Sequence, residues 1–152
     1  MTRVEATMAT ATKDWRREGV RIVRAGALAD ARAAPGANGR ATVVDFMGTG
    51  GAKTWIGSVE LPPLTATGAH HHGRHEVLLR VVKGRAEIRW GERLEFAAML
   101  GPGDYAYFPP YVPHQERNPD AETAEYVAVR SDNERIAVKL DCQPAERPGT
   151  VD

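Results

Sequence analysis

The sequence predicts an all-β fold, a sandwich or barrel of short strands. Three observations carry this expectation: β-forming runs recur at short intervals from residue 41 onward, Gly and Pro punctuate them, and hardly any segment shows a helical period. At 152 residues the chain fits one domain, since single cores are commonest at roughly 100–150 residues.

Taken in order, residues 1–14 are rich in Thr and Ala without an apolar period and read as a flexible N-terminus. The domain is expected over residues 15–142, with its barrel core at about 41–141. A short strand is expected at residues 20–23, and residues 33–40, with Pro35, Gly36, Asn38 and Gly39, read as a loop. Strands follow at residues 41–46 and 53–61, separated by a turn at 48–51 and stopped by Pro62 and Pro63. Residues 77–82 form a nearly continuous run of β-branched residues and Leu, ended by Gly84. Residues 85–90 alternate, with Ala86, Ile88 and Trp90 on one face and Arg85, Glu87 and Arg89 on the other. Gly91 closes a hairpin into residues 94–100, and residues 105–108 run up to Pro109 and Pro110. Two further strands are expected at 124–130 and 135–140. Residues 143–152, with Pro144, Pro148 and Gly149, read as a flexible C-terminal tail.

Composition narrows the function. Lys plus Arg and Asp plus Glu are equal at 20 each, so no net positive field draws a polyphosphate backbone and nucleic acid is not an expected partner. No stretch approaches the ~18 continuous apolar residues of a membrane span, and the N-terminus lacks the apolar core of a signal peptide. Cys142 is the only cysteine, which excludes an intramolecular disulfide and a multi-thiolate zinc site. A cytoplasmic protein is expected.

The histidines are the chemical signal. All 5 fall in two places: His70, His71, His72 and His75 together, and His114 after Pro113. On an extended segment His70 and His72 point to the same side and His71 to the other. A same-face pair plus a distant third His can close a metal site that keeps open coordination positions. Five scattered surface imidazoles, or an adventitious His-rich tract, would not be expected to pair with a second His in this way.

At these residues the chain resembles the cupin superfamily, in particular small single-domain, metal-binding type-2 cupins with an RmlC-like jelly roll. The first cupin motif is similar to His70, His72 and Glu76 followed by Gly84; the second is similar to Gly103, Asp104, Pro109, His114 and Asn118. The resemblance spans residues 54–140 and implies a double-stranded β-helix (jelly-roll) barrel. It also implies one metal ion held by His70, His72, Glu76 and His114. Leu64 and Tyr111 stand where the motifs have Gly, which concerns loop geometry.

One register question stays open. Measured back from Gly84, the motif's carboxylate falls on Val77, one residue after Glu76. A one-residue offset turns a side chain to the opposite face unless a β-bulge absorbs it. With a bulge Glu76 faces the metal; without one it faces outward, and His75 competes as a donor. Regular alternation ties Arg80 to the same outcome: inward with Glu76, where its fork suits a substrate carboxylate, or solvated if Val77 is inward. Tyr105 and Tyr107 share a face and either line the cavity or fill the core. Asn118 has the chemistry of a turn former rather than a ligand.

Three or four N and O ligands admit Fe, Mn, Ni, Co or Zn and leave room for a substrate oxygen. The resemblance implies an oxidoreductase or related enzyme, by dioxygenation, decarboxylation or isomerisation of a small organic acid or enol-type compound. Candidate catalytic groups are Tyr107, His75 and Arg80. The alternative is a non-catalytic, metal-containing cupin that binds or senses a small molecule. A homodimer is expected from the family and from exposed strand edges.

Overall fold

The computed structural model describes residues 14–35, 40–44, 53–132, 134 and 136–152. The N-terminal segment at 1–13 and the turn expected at 48–51 lie outside the described residues, as do residues 36–39 of the expected loop.

Two sheets face each other. The first has strand order β1 (Arg40–Val44), β2 (Trp55–Leu61), β9 (Ala124–Arg130), β4 (Val77–Lys83) and β7 (Tyr105–Phe108). The second runs β10 (Val138–Lys139), β3 (His70–His71), β8 (His114–Arg117), β5 (Ala86–Trp90), β6 (Phe96–Leu100) and β11 (Gly149–Thr150). All pairings are antiparallel except β6 with β11. Among the described residues the sheets are not hydrogen-bonded into a closed barrel; the architecture is the double-stranded β-helix.

The alternation of apolar residues sets which faces meet. On β4, Val77, Leu79 and Val81 are buried while Leu78, Arg80 and Val82 are exposed. On β5, Ala86 and Ile88 are buried and Trp90 packs against them. With Val59, Leu61, Leu100, Phe108 and Tyr126 these form one core cluster between the sheets. Removing such a side chain from water stabilises the fold by about 1.5–3 kcal/mol each.

Two expectations change, and one strand is added. Residues 20–23 form no strand; instead α1 (Trp15–Glu18) and α2 (Ala25–Ala33) precede the sheets, and α2 lies against β1. Its alanines favour helix by propensity, yet they form no apolar stripe for periodicity to detect. Residues 143–152 are not a loose tail. Amides of Ala145, Gly149 and Val151 donate to the carbonyls of Arg93, Glu95 and Ala97 at 2.7, 2.7 and 2.8 Å, so the C-terminus straps the β6 edge. Finally, β8 is a strand although His114, Gln115, Glu116 and Arg117 include no strong β-former. Its pairing with β5 and β3 imposes the conformation.

Among the described residues no helix is long and apolar enough to cross a membrane.

Candidate metal centre

The site is built where β3 and β8 pair, with His70 directly opposite His114. His72 follows β3 two residues on, on the face of His70. The ring centroids of the three stand 4.4 to 5.2 Å apart, and one ring nitrogen of each lies within 4.8 Å of the others.

The backbone fixes how each imidazole is turned. Nδ1 of His70 faces the Gly68 carbonyl at 2.8 Å, Nδ1 of His72 the Ile136 carbonyl at 2.9 Å, and Nδ1 of His114 the Val112 carbonyl at 3.0 Å. A carbonyl only accepts, so each Nδ1 carries the proton and donates. In the neutral rings Nε2 then carries the lone pair, which is the donor state a metal needs. His114 is 1% exposed, and its Nε2 makes no hydrogen bond. Burial lowers the His72 pKa to about 4, helped by the charges of Arg130, His70 and His114 and opposed by the bond to Ile136. His72 therefore stays neutral at ordinary pH.

A buried carboxylate stands beside the cluster, and it is that of Glu116 rather than Glu76. Glu116, 7% exposed, lies two residues beyond His114 on the same face of β8. Its Oε1 is 3.5 Å from His114 Nε2, and its Oε2 is 3.8 Å from His70 Nε2. Thr67 Oγ1 donates to Oε2 at 3.0 Å, and the Glu116 amide donates back to Thr67 Oγ1 at 3.1 Å. Burial pushes the Glu116 pKa up, but His114 and His70 beside it, in their protonated forms, and the Thr67 hydroxyl prevail and bring it to about 2.

The donor set fits a metal ion. Lone pairs on three Nε2 atoms repel one another when brought together beside an ionised carboxylate, and a divalent cation among the three nitrogens removes that repulsion. The orphaned Nε2 of His114 is explained in the same way.

Glu76 is corrected. It is exposed on the outer face, where Tyr107 Oη donates to its Oε1 at 2.7 Å and raises the tyrosine's pKa. The pairing of β4 with β9 does shift register, but between Val81 and Lys83, while Val77 to Val81 keep regular alternation. Val77 therefore holds the inward position, and Glu76 falls outside. Arg80 follows, exposed beside the Tyr105 ring at 5.7 Å, so it is no ligand for a substrate in the interior. Tyr107 and Tyr105 are likewise outward and exposed. His75 is buried, 1% exposed, and neither ring nitrogen makes a hydrogen bond, but it is not in the three-histidine cluster. Asn118 is a turn anchor: its Nδ2 donates to the carbonyls of Leu61, Pro62 and Glu122, and its Oδ1 accepts from the Asp120 amide.

The site opens onto a cavity of about 860 Å3. Apolar walls come from Trp55, Val77, Leu79 and Tyr126, and two cations, Arg130 and Lys139, also line it. Sequence reading missed Glu116 and Arg130. The signal for Glu116 was present: the parity that joins His70 to His72 joins His114 to Glu116. The signal for Arg130 was the phase of Ala124, Tyr126 and Ala128, which turns it inward.

Two facing antiparallel sheets around an interior cluster of three imidazoles define a double-stranded β-helix protein whose polar site lies inside. Residues 57–130 match the cupin domain family model, so this stretch of the chain is a cupin domain. An uncharacterized conserved protein with a double-stranded β-helix domain from Klebsiella pneumoniae is 20% identical, with 80% of this chain and 98% of that one covered and a TM-score of 0.64. The polyketide cyclase RemF from Streptomyces resistomycificus is 20% identical over 72% of this chain and 73% of that one, with a TM-score of 0.60. Oxalate decarboxylase from Bacillus subtilis is 23% identical over 66% of this chain and 27% of that one, with a TM-score of 0.58. These identities show a shared fold. No curated protein matches the sequence.

Proposed function

We propose that this protein is a metal-dependent cupin enzyme acting on a small organic acid or enol-type compound, by dioxygenation, decarboxylation or isomerisation. The observation that carries the reading is the set of three imidazoles whose Nδ1 atoms are all committed to backbone carbonyls. That arrangement spends structure on turning three lone pairs toward one point, beside a cavity large enough for a small organic molecule. The fold neighbours include a polyketide cyclase and an oxalate decarboxylase, which supports an enzyme without naming its substrate.

His70, His72 and His114 would hold the ion, with Glu116 beside two of them. A bound divalent ion, Fe, Mn, Ni, Co or Zn, supplies Lewis acidity toward a substrate oxygen. Glu116, held ionised, accepts a proton at Oε1 or balances the cation's charge, while Thr67 fixes Oε2. The apolar wall of Trp55, Leu79 and Tyr126 limits water around the substrate. The protein is also proposed to act as a homodimer; Leu78, Val82, Tyr105 and Tyr107 are exposed together on the outer face of β4 and β7.

Metal analysis of the purified protein tests the site: about one equivalent is expected, lost in His70→Ala and His114→Ala. A stoichiometry near zero in the unmutated protein would sink the metal reading. Oxygen uptake and carbon dioxide release against a panel of small acids, with chelator-treated protein as control, then separate an enzyme from a sensor. A metal-loaded protein that turns over nothing in a broad panel would move the reading to a binding cupin.

A further inference from the structure

The three imidazoles are not turned in the same way. His70 and His114 donate to carbonyls two residues from themselves, those of Gly68 and Val112, whereas His72 donates to the carbonyl of Ile136, 64 residues further along the chain. The aim of His72 therefore depends on where a distant segment is held. Edge strand β10 brings that segment to β3: Val138 pairs with His71 and Lys139 with His70, and the Leu140 amide donates to the Ala69 carbonyl at 2.9 Å. This pairing ends at Val138, two residues short of Ile136. What meets the Ile136 side chain is Gly73, the residue after His72. Gly73 is buried at a φ of 58°, and a Cβ added to it would lie 2.9 Å from Ile136 Cγ2, well inside the ~3.5–4.0 Å of carbon–carbon contact. The glycine is held in place, because its amide donates to His71 Nδ1 at 2.9 Å and its carbonyl accepts from the Tyr111 amide at 2.9 Å. The isoleucine is β-branched and stiff at χ1, so Cγ2 does not swing aside freely. Arg74 also pairs with Asp132 and Glu134 on the approach to Ile136, but these groups are exposed or half-exposed and such pairs hold little.

We propose that Ile136 is a positioning residue of the metal site: seated on the bare backbone of Gly73, it holds its carbonyl on His72 Nδ1 and so turns His72 Nε2 toward His70 and His114. Gly73 is then required for its missing Cβ as well as for its backbone conformation. The segment that carries Ile136 goes on to supply Ala137, Lys139 and Leu140 to the cavity wall, so one element both lines the cavity and aims a ligand. The effect on metal affinity rests on the metal reading; the effect on the His72 ring stands on the Ile136–Gly73 geometry alone.

Two measurements on the full chain test it. Long-range proton–nitrogen NMR of isotope-labelled, chelator-treated protein at neutral pH reads which ring nitrogen of His72 carries the proton, with His72→Gln to assign the signal. Competition with a chromogenic chelator reads the affinity for zinc. In the unmutated protein the His72 proton should sit on Nδ1. Gly73→Ala should release it to populate Nε2, while His70 and His114 keep theirs on Nδ1, and zinc binding should weaken by about ten- to hundredfold, as loss of an outer partner of a metal ligand does. Ile136→Ala should act in the same direction with a smaller loss. Adding Ile136→Ala to Gly73→Ala removes the overlapping methyl and should recover zinc binding to the level of Ile136→Ala alone. Gly103→Ala controls for backbone strain, since Gly103 has a φ of 90° and a Cβ there would meet no atom within 4 Å; it should leave the His72 proton on Nδ1. An unmoved His72 proton in Gly73→Ala, no recovery in the double variant, or an equal shift in Gly103→Ala would each overturn the proposal. If Gly73→Ala does not fold, Ile136→Ala carries the test, and a His72 proton still held wholly on Nδ1 would overturn it. A tautomer that responds as described in a protein that binds no zinc would support the positioning role while refuting the metal reading.

Discussion

His114 Nε2 and Glu116 Oε1 stand 3.5 Å apart, contributed by two residues of one strand whose side chains share its inner face. This pair links the second motif's histidine to a carboxylate that the first motif was expected to supply. The interior acid is thus on β8, and β4 presents Val77 in its place.

The first prediction separates the two glutamates. Glu116→Gln should weaken metal binding by about ten- to hundredfold, as loss of a metal-site partner typically does. Glu76→Gln should leave it unchanged, because that carboxylate is bonded by Tyr107 on the outer face. Competition with a chromogenic chelator measures both. Equal losses would mean that Glu76 reaches the interior.

Acid should destabilise the metal-free protein in two successive windows. His72 titrates near pH 4 in the folded protein against 6.5 for the ordinary group. Between those values the unfolded chain takes up a proton that the folded chain refuses, so stability is lost as pH falls. The full loss from His72 is about 3 kcal/mol. Glu116, lowered to about 2 from 4.5, then loses its contribution as pH falls through the lower window. Denaturant unfolding of chelator-treated protein at a series of pH values reads this, and His72→Gln should flatten the slope in the upper window.

Leu64 holds a φ of 56° in a position where the motif has Gly. Its side chain is 74% exposed, so little packing compensates a left-handed backbone that costs an L-residue roughly 1–2 kcal/mol. Leu64→Gly should therefore raise stability, by up to about 1 kcal/mol after the larger chain entropy of Gly is subtracted. A lower midpoint in urea would contradict this.

Asn118→Ala should cost about 1–3 kcal/mol, because the buried carbonyl of Leu61 and the carbonyls of Pro62 and Glu122 lose their shared donor. Metal stoichiometry in the folded fraction should be unchanged, since Asn118 braces the turn after β8 and touches no imidazole nitrogen by these bonds. Thermal melting and metal analysis of the same sample check both halves.

Much of the β architecture was legible because alternation is local. Ala86, Ile88 and Trp90 declare their face within five residues, and so do His70 and His72. Helix α2 was hidden because its alanines have propensity but no stripe, and β8 was hidden because the site occupies its inner face. A strand that carries His114 and Glu116 inward has no apolar alternation to announce it. The C-terminal strap was hidden for a related reason: a two-residue strand, β11, is defined by the β6 edge it joins.

The sequence by itself determined the β class, the cupin motifs and the three histidines, since residue type, parity and spacing are properties of the chain alone. Only the tertiary structure decided that Val77 rather than Glu76 faces inward, that Arg80 is therefore outside, and that Glu116 and Arg130 are inside. The phase of a strand relative to the core is set by its pairing with neighbours distant in sequence, here β4 with β9 and β8 with β3 and β5. A shift of one residue in that pairing exchanges the two faces.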